Sequence, residues 1–497
     1  MSRRPSRDVL LVGIIVAIGT LLRIFRIGAE SLWLDEGYSV HFVETMSFAA
    51  IALELPWTDN SPPLYYLVLD IWTATFGYGE STLRLLSALF GIATIVVIYL
   101  LGSELYSRDV GLLSAGLLSV SAFHIWYAQE ARMYTLLAFL ASLSYLFLLK
   151  SMNEEARTEY VVLYVVSTVA LGYTHMFGLF VILSQSLFIF SDLVLFEGKT
   201  DRKAIVRWVT IQGTVGILLL PYVRVLLVRV LTGRGEVWVS IPPIPYLVTT
   251  PLSYFGTSRI LQWPPAVYLG LLALIGMLGV VAILPFSRLP GRQVSAESSH
   301  IHADERPAQP RAAFLLVLWV MIPIAVPIVI TYAITPIFVQ RYTIPASIGL
   351  FILIARGISR LPRPSARVMA VVLVLSVCLF PLPTMYADDQ REQWRESAQY
   401  VAGGADGDDL VLLSRGDLEY PFDYYFDSEA TVTSASENTL REEQLDQVRD
   451  SETVWFVFSH GTRAQEAEMQ NAIERTHRPA ETRGYNDIRI VKYVAEG

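Results

Sequence analysis

The sequence is poor in the residues that staple or solvate an ordinary soluble protein. One cysteine occurs in 497 residues, Cys378, inside an apolar run, so neither a disulfide framework nor a cysteine-based zinc site can be assembled. Lysine is nearly missing, at 4 against 34 arginines, a bias that either a salt-adapted source or genomic base composition produces. Charged residues make up 17% of the chain, too few for a typical soluble domain. No P-loop, dinucleotide fingerprint, HExxH sequence or fixed-period repeat is found, which removes nucleotide-cradling glycine loops of those kinds. What fills the chain instead is apolar: 53% of residues are hydrophobic, the composition of a membrane protein.

The net charge of −8 hides two opposite parts. Residues 386–497 carry 11 basic and 24 acidic residues, a balance of −13, which leaves +5 on residues 1–385. An acidic tail argues against nucleic acid, for which a basic stripe is needed. A helix needs about 20 apolar residues to cross a bilayer core. About eleven stretches qualify: 9–27, 82–102, 110–126, 131–149, 160–174, 176–196, 205–227, 265–286, 312–334, 343–358 and 367–385. The first is too long for a signal peptide and lacks a small-residue cleavage site, so it reads as a retained helix. The fold expected is therefore an all-α polytopic membrane bundle followed by a small α/β soluble domain. The boundaries are 1–385 and 386–497.

Arginine and lysine in the short connections set the orientation. With Arg3, Arg4 and Arg7 in the cytosol, the same side collects Arg108, Lys150, Arg157, Lys199, Arg202, Lys203 and the arginines of 356–367. The opposite side holds Arg132, Arg229, Arg234, Arg259 and Arg341. The first outer loop, 28–80, contains eight acidic residues and no Lys or Arg. An odd number of helices, with the tail outside, satisfies this pattern. Residues 287–311 read as a cytoplasmic connector, whose His300 and His302 are better taken as solvated linker histidines than as metal ligands. In the tail, helical patterns at 391–402, 439–449 and 464–475 alternate with apolar runs at Leu410 to Leu413, Val454 to Phe458 and Ile488 to Tyr493. Asp406, Asp408 and Asp409 lack the twelve-residue calcium-loop spacing and read as a turn before a strand.

Ionisable residues from distant parts of the chain fall on the outer face. Asp35 and Glu36 follow Trp33 and Leu34, at the depth of the headgroups, where partial desolvation favours a general base. The same pair equally suits the first turn of a surface helix. Tyr65 and Tyr66 follow Pro62 and Pro63 into an apolar run, Leu64 to Phe76, that is too short to span and is either an interfacial platform or a packing helix. Gln129, Glu130, Arg132 and Tyr134 stand at the outer end of the fourth helix. A cation in a first helical turn wants an anion, supplied either by Glu130 or by a bound phosphate. His175 follows a span whose fifteen residues rise about 22 Å against a core of about 30 Å. It thus sits below the outer surface, either satisfied by a carbonyl or facing substrate. Gln340, Arg341 and Tyr342 form a brief outer turn, where an arginine so close to hydrocarbon needs a partner.

The runs Ser31-Leu32-Trp33-Leu34-Asp35-Glu36, Ser61-Pro62-Pro63-Leu64-Tyr65-Tyr66, Tyr127 to Tyr134, Tyr173-Thr174-His175 and Gln340-Arg341-Tyr342 carry a resemblance. In order and spacing, over residues 9–385, the chain resembles the GT-C superfamily of polytopic glycosyltransferases that includes protein O-mannosyltransferases and the aminoarabinose transferases of lipid A. Ser61 departs from the pattern, since many relatives carry histidine before the prolines. The resemblance implies transfer of one sugar, with inversion, from a polyprenyl- or dolichyl-phosphate carrier in the membrane lipid to an extracytoplasmic acceptor: a protein, a glycolipid or a polysaccharide. It implies that Asp35 takes the acceptor proton and that Glu36 positions or polarises the site. Gln129, Glu130, Arg132, Tyr134, His175, Gln340, Arg341, Tyr342 and Tyr65 would bind the donor phosphate or substrate. A divalent metal, held by Asp35, Glu130 and His175, is left open because no D-x-D motif stands beside the acidic pair. Two other classes compete: a lipid-linked sugar transporter or flippase, which calls for broken-helix pairs or repeat symmetry not found here, and a non-catalytic membrane assembly protein working through its acidic tail.

Overall fold

The computed structural model describes residues 7–59, 61–152, 157–196, 202–232, 239–256, 264–284, 309–387, 389–436 and 438–496. Most of the connector expected at 287–311, with both its histidines, lies outside them; residues 309–311 already belong to a helix. The chain divides into two compact units. The first comprises Met1–Phe25, Phe48–Leu69 and Arg84–Pro383; the second comprises Arg26–Ser47, Asp70–Leu83 and Thr384–Gly497.

Among the described residues each apolar stretch read from the sequence is mostly helical. The helices are Arg7–Ile24, Glu80–Leu105, Arg108–Val120 with Ala122–Ala128, Tyr134–Ser151, Thr158–Gly172, Phe177–Ser191, Arg202–Thr232, Pro265–Ile283, Gln309–Ala333, Ile344–Arg360 and Pro364–Leu379. Among the described residues eight helices are long and apolar enough to cross a membrane, and the bent pair makes a ninth. Arg7–Ile24 carries three charges and Thr158–Gly172 is short, at 15 residues. Apolar side chains such as Ile217, Leu220 and Leu231 stand exposed along Arg202–Thr232, as a lipid-facing helix requires. Ile344–Arg360 is the opposite case, buried along most of its length. Gly357 permits its closest approach, since a Cβ there would come 2.2 Å from the carbonyl oxygen of Leu278.

The stretch 110–126, expected as one span, is broken. Arg108–Val120 and Ala122–Ala128 meet at 60°. Ser121 leaves helical geometry, and its hydroxyl accepts from His124 N at 3.2 Å while donating to the carbonyl of Tyr254 at 2.7 Å. Breaking a helix orphans its last carbonyls. Arg23, fully buried, donates to those of Leu118 and Ser119, each at 3.0 Å. A charged residue inside the first span is thereby explained as a helix cap supplied in trans.

The second unit is built on a five-stranded sheet of order β2-β1-β3-β5-β4, where β1 is Leu410–Leu413, β2 Thr431–Ser434, β3 Thr453–Ser459, β4 His477–Tyr485 and β5 Ile488–Ala495. β1 runs parallel to β2 and β3; β5 runs antiparallel to β3 and β4. Alternation fills both faces. Val411, Leu413, Trp455 and Val457 pack with Trp394, Phe422 and Leu34, while Leu410, Leu412, Val454 and Phe456 pack with Val448, Met469 and Ile473. Leu34, from the loop after the first span, is thus a core residue of the sheet domain. Asp409 accepts from Asp406 N at 3.2 Å and from Trp455 Nε1 at 3.0 Å, the behaviour of a turn before a strand.

Candidate active site

In the second unit, the chain from Ser31 enters the helix Leu34–Thr45 with Asp35 and Glu36 in its first turn. Trp33 is the extended N-cap, and Glu36 turns its carboxylate back to Trp33 N at 3.4 Å, half of a capping box. The Glu36 side chain is wholly buried. Burial of a carboxylate demands a partner, and Arg391 supplies it, with Nη1 3.1 Å from Glu36 Oε2 and Nε 3.2 Å from Glu30 Oε2. Gly37 is fixed by proximity, because a Cβ there would lie 2.8 Å from Pro421 N. Asp35 is half-buried between these anchored neighbours.

Glu392 ties the same turn from the next position. Its Oε2 accepts from Leu34 N at 3.0 Å and from Trp394 Nε1 at 2.5 Å, and its carbonyl accepts from Ser31 Oγ at 2.6 Å. Its Oε1 lies 2.7 Å from His460 Nε2. That hydrogen bond holds the His460 imidazole above its ordinary pKa, against the opposing effect of burial. Tyr425 donates to Glu80 and accepts from Leu32 N, and Arg395 pairs with Glu80 at 2.5 Å. Sequence reasoning missed Arg391, Glu392, Arg395, Glu80 and Tyr425. The available signal was the dense Arg391-Glu392-Gln393-Trp394-Arg395 immediately after the last span.

The first unit gathers the remaining predicted residues. Arg341 stands over the rings of Tyr134, at 5.8 Å, and Tyr342, at 5.6 Å, which stack on each other at 6.0 Å. His175 packs on Tyr342 at 4.5 Å, and the charges of Arg132 and Arg341 both act on its imidazole. Glu130 is buried, and its charge and that of Arg341 reach the same residue, Tyr127. Arg132 donates to Tyr66 Oη at 3.0 Å, which donates to Ser61 Oγ at 3.2 Å, giving Ser61 a part in fixing the arginine. Tyr65 Oη meets Ser87 Oγ at 3.1 Å, and Ser87 Oγ donates to the carbonyl of Arg132 at 3.0 Å. The start of the helix Leu64–Phe76 is tied to the turn before His175 by Leu64 N donating to Tyr173 O.

Two predicted residues have structural employment here. Gln129 donates its amide to the carbonyls of Arg23, at 3.0 Å, and Phe25, at 2.8 Å, closing the end of the first helix. Gln340 is buried, donating from its backbone to Tyr246 Oη and from its amide to Thr250 Oγ1. His175 has one ring nitrogen assigned: Phe177 N donates to Nδ1 at 3.1 Å. An atom that accepts a hydrogen bond carries no proton, so the imidazole is neutral and its proton is on Nε2. Among the described residues no group of three His, Cys, Asp or Glu side chains is arranged to hold a metal ion.

Residues 60–223 match the sequence model of the family described as dolichyl-phosphate-mannose-protein mannosyltransferase. No curated protein matches the chain by sequence. Among solved structures, ArnT from Cupriavidus metallidurans in the apo state is 14% identical, with 98% of each chain covered and a TM-score of 0.62. The same protein bound to undecaprenyl phosphate aligns at 14% identity over 98% of this chain and 97% of that one, with a TM-score of 0.55. The oligosaccharyltransferase AglB of Archaeoglobus fulgidus, in complex with an inhibitory peptide and a dolichol-phosphate, is 13% identical over 91% of this chain and 69% of that one, with a TM-score of 0.53. At such identities the likeness is one of fold. The chain accordingly shares the fold of these structures, and its long apolar helices are those of a multi-pass membrane protein.

Proposed function

We propose that the protein is an inverting glycosyltransferase that moves one sugar from a polyprenyl- or dolichyl-phosphate carrier to an acceptor on the non-cytosolic side. The observation that carries this reading is the clustering of Arg132, Arg341 and His175 with Tyr134 and Tyr342 in the first unit: two cations and a neutral N–H donor framed by aromatic rings. Such a set suits a phosphate attached to an apolar chain. The solved structures of similar fold bound to undecaprenyl phosphate and to a dolichol-phosphate support the same donor class. The distribution of arginine between the loops supports the outward orientation.

In the proposed reaction the acceptor hydroxyl gives its proton to the Asp35 carboxylate as its oxygen bonds to the anomeric carbon. The bond from that carbon to the phosphate oxygen breaks on the opposite face, which inverts the centre. The electron pair leaves with the phosphate, whose added negative charge Arg132 and Arg341 stabilise. Glu36, fully buried against Arg391, serves placement rather than proton transfer.

The test compares glycans and lipid-linked sugars of cells with and without the gene, then with Asp35→Asn restored at equal protein level. Loss of a transferred sugar, with its carrier-linked form accumulating, is expected both in the deletion and with Asp35→Asn. The variant should still insert and bind carrier lipid. Normal transfer by Asp35→Asn would remove the base assignment.

A further inference from the structure

We infer that Arg391 and Glu392, at the entry to the C-terminal sheet domain, are positioning residues for Asp35, so that this domain takes part in placing the proposed base. The inference rests on the reading of Asp35 as that base. Within the second unit the two chain neighbours of Asp35 are pinned by two consecutive residues. The backbone N–H of Leu34 donates to Glu392 Oε2 at 3.0 Å, and the carboxylate of Glu36 meets Arg391 Nη1 at 3.1 Å. Arg391 forks: its Nε reaches Glu30 at 3.2 Å, which fixes the loop before the turn against the helix after it. Ser31 Oγ on the Glu392 carbonyl, and Leu34 in the core beside Trp394, close the clamp. Asp35 is the residue left between these anchors with a half-buried side chain.

Stability alone does not account for this design. Burying a carboxylate and a guanidinium costs desolvation that their attraction often only offsets, and neutral packing at such a site is commonly as stable. What the fork adds is a fixed geometry that a neutral pair lacks, and that lysine, a single-point cation, lacks as well.

Two variants of the full chain test this, Arg391→Lys and the double substitution Glu36→Gln with Arg391→Met. They are read by hydrogen exchange of the purified protein, by dolichyl phosphate binding, and by sugar transfer in the deletion cells at matched protein level. The expected result is exchange at Leu34 to Tyr38 at least 10-fold faster, with β1 and β3 unchanged. Dolichyl phosphate affinity should stay within 2-fold, and transfer should fall at least 10-fold. Wild-type exchange at the turn, or transfer within 3-fold of wild type, overturns the inference. Loss of protection throughout β1 and β3 in both variants overturns it too, because the pair is then a requirement of folding rather than of placement. Asp35→Asn measured alongside separates the two readings: transfer retained there removes the base, whereas transfer lost there but retained in both variants removes only the clamp.

Discussion

The guanidinium of Arg341 lies 5.8 Å over the ring of Tyr134, joining a turn between two late helices to the start of a much earlier one. An aromatic face attracts a cation and holds it in place without neutralising it, and the proposed function sets this held guanidinium against the donor phosphate. Arg341→Ala should therefore weaken donor binding about 10- to 100-fold, or roughly 1.4–2.8 kcal/mol, by removing a charge-assisted contact to phosphate. Affinity for the acceptor should change little. Equal losses in titrations with both substrates contradict the phosphate assignment.

His460 makes the second unit pH-dependent in a defined direction. Its hydrogen bond to Glu392 raises the imidazole pKa in the folded state. The stabilisation is therefore fully present below the unfolded value of about 6.5 and is lost as pH rises through the folded value. Thermal unfolding of the wild type and His460→Gln between pH 5.5 and 8.5 should show the larger gap at the acidic end. A gap that grows toward alkaline pH would assign the effect to another group.

Much of this architecture was legible because its signals are local. Apolar runs of bilayer length located the long apolar helices, and short apolar runs located β1, β3 and β5, whose faces are both covered. The two missed strands, β2 and β4, are the sheet edges, and β4 is exposed along most of its length, so it needs no apolar alternation. The break at Ser121 was hidden because a serine inside an apolar run is also compatible with a straight helix. The convergence of Arg132, His175 and Arg341 followed from topology, since membrane crossings assign each loop to a face. The partners of Glu36 and Leu34 did not follow, because no spacing rule connects Glu36 to Arg391. A buried ion pair joins residues by their desolvation, and sequence order says nothing of that.

Arg23 offers a test of the membrane bundle itself. Its guanidinium serves the carbonyls of Leu118 and Ser119 left open by the break at Ser121. Arg23→Leu removes those donors while leaving the acceptors buried, which should destabilise the fold by about 2–4 kcal/mol. Thermal unfolding in detergent micelles measures it. An unchanged midpoint would show that the carbonyls find other donors.

His175 separates structure from chemistry within one ring. Nδ1 accepts from the backbone N–H two residues on, the same bond that the side-chain oxygen of an asparagine makes in an Asx-turn. His175→Asn can therefore keep the turn that leads into Phe177–Ser191, while the proton carried by Nε2 disappears. Should that N–H donate to the carrier phosphate, the variant stays folded and its donor affinity falls about 10-fold, roughly 1.4 kcal/mol for a bond to a charged acceptor. Because the ring is neutral in this arrangement, that donor affinity should not follow an imidazole titration between pH 6 and 8 in the wild type. Full donor affinity in a folded His175→Asn would leave the histidine a structural residue and the phosphate to the two arginines alone.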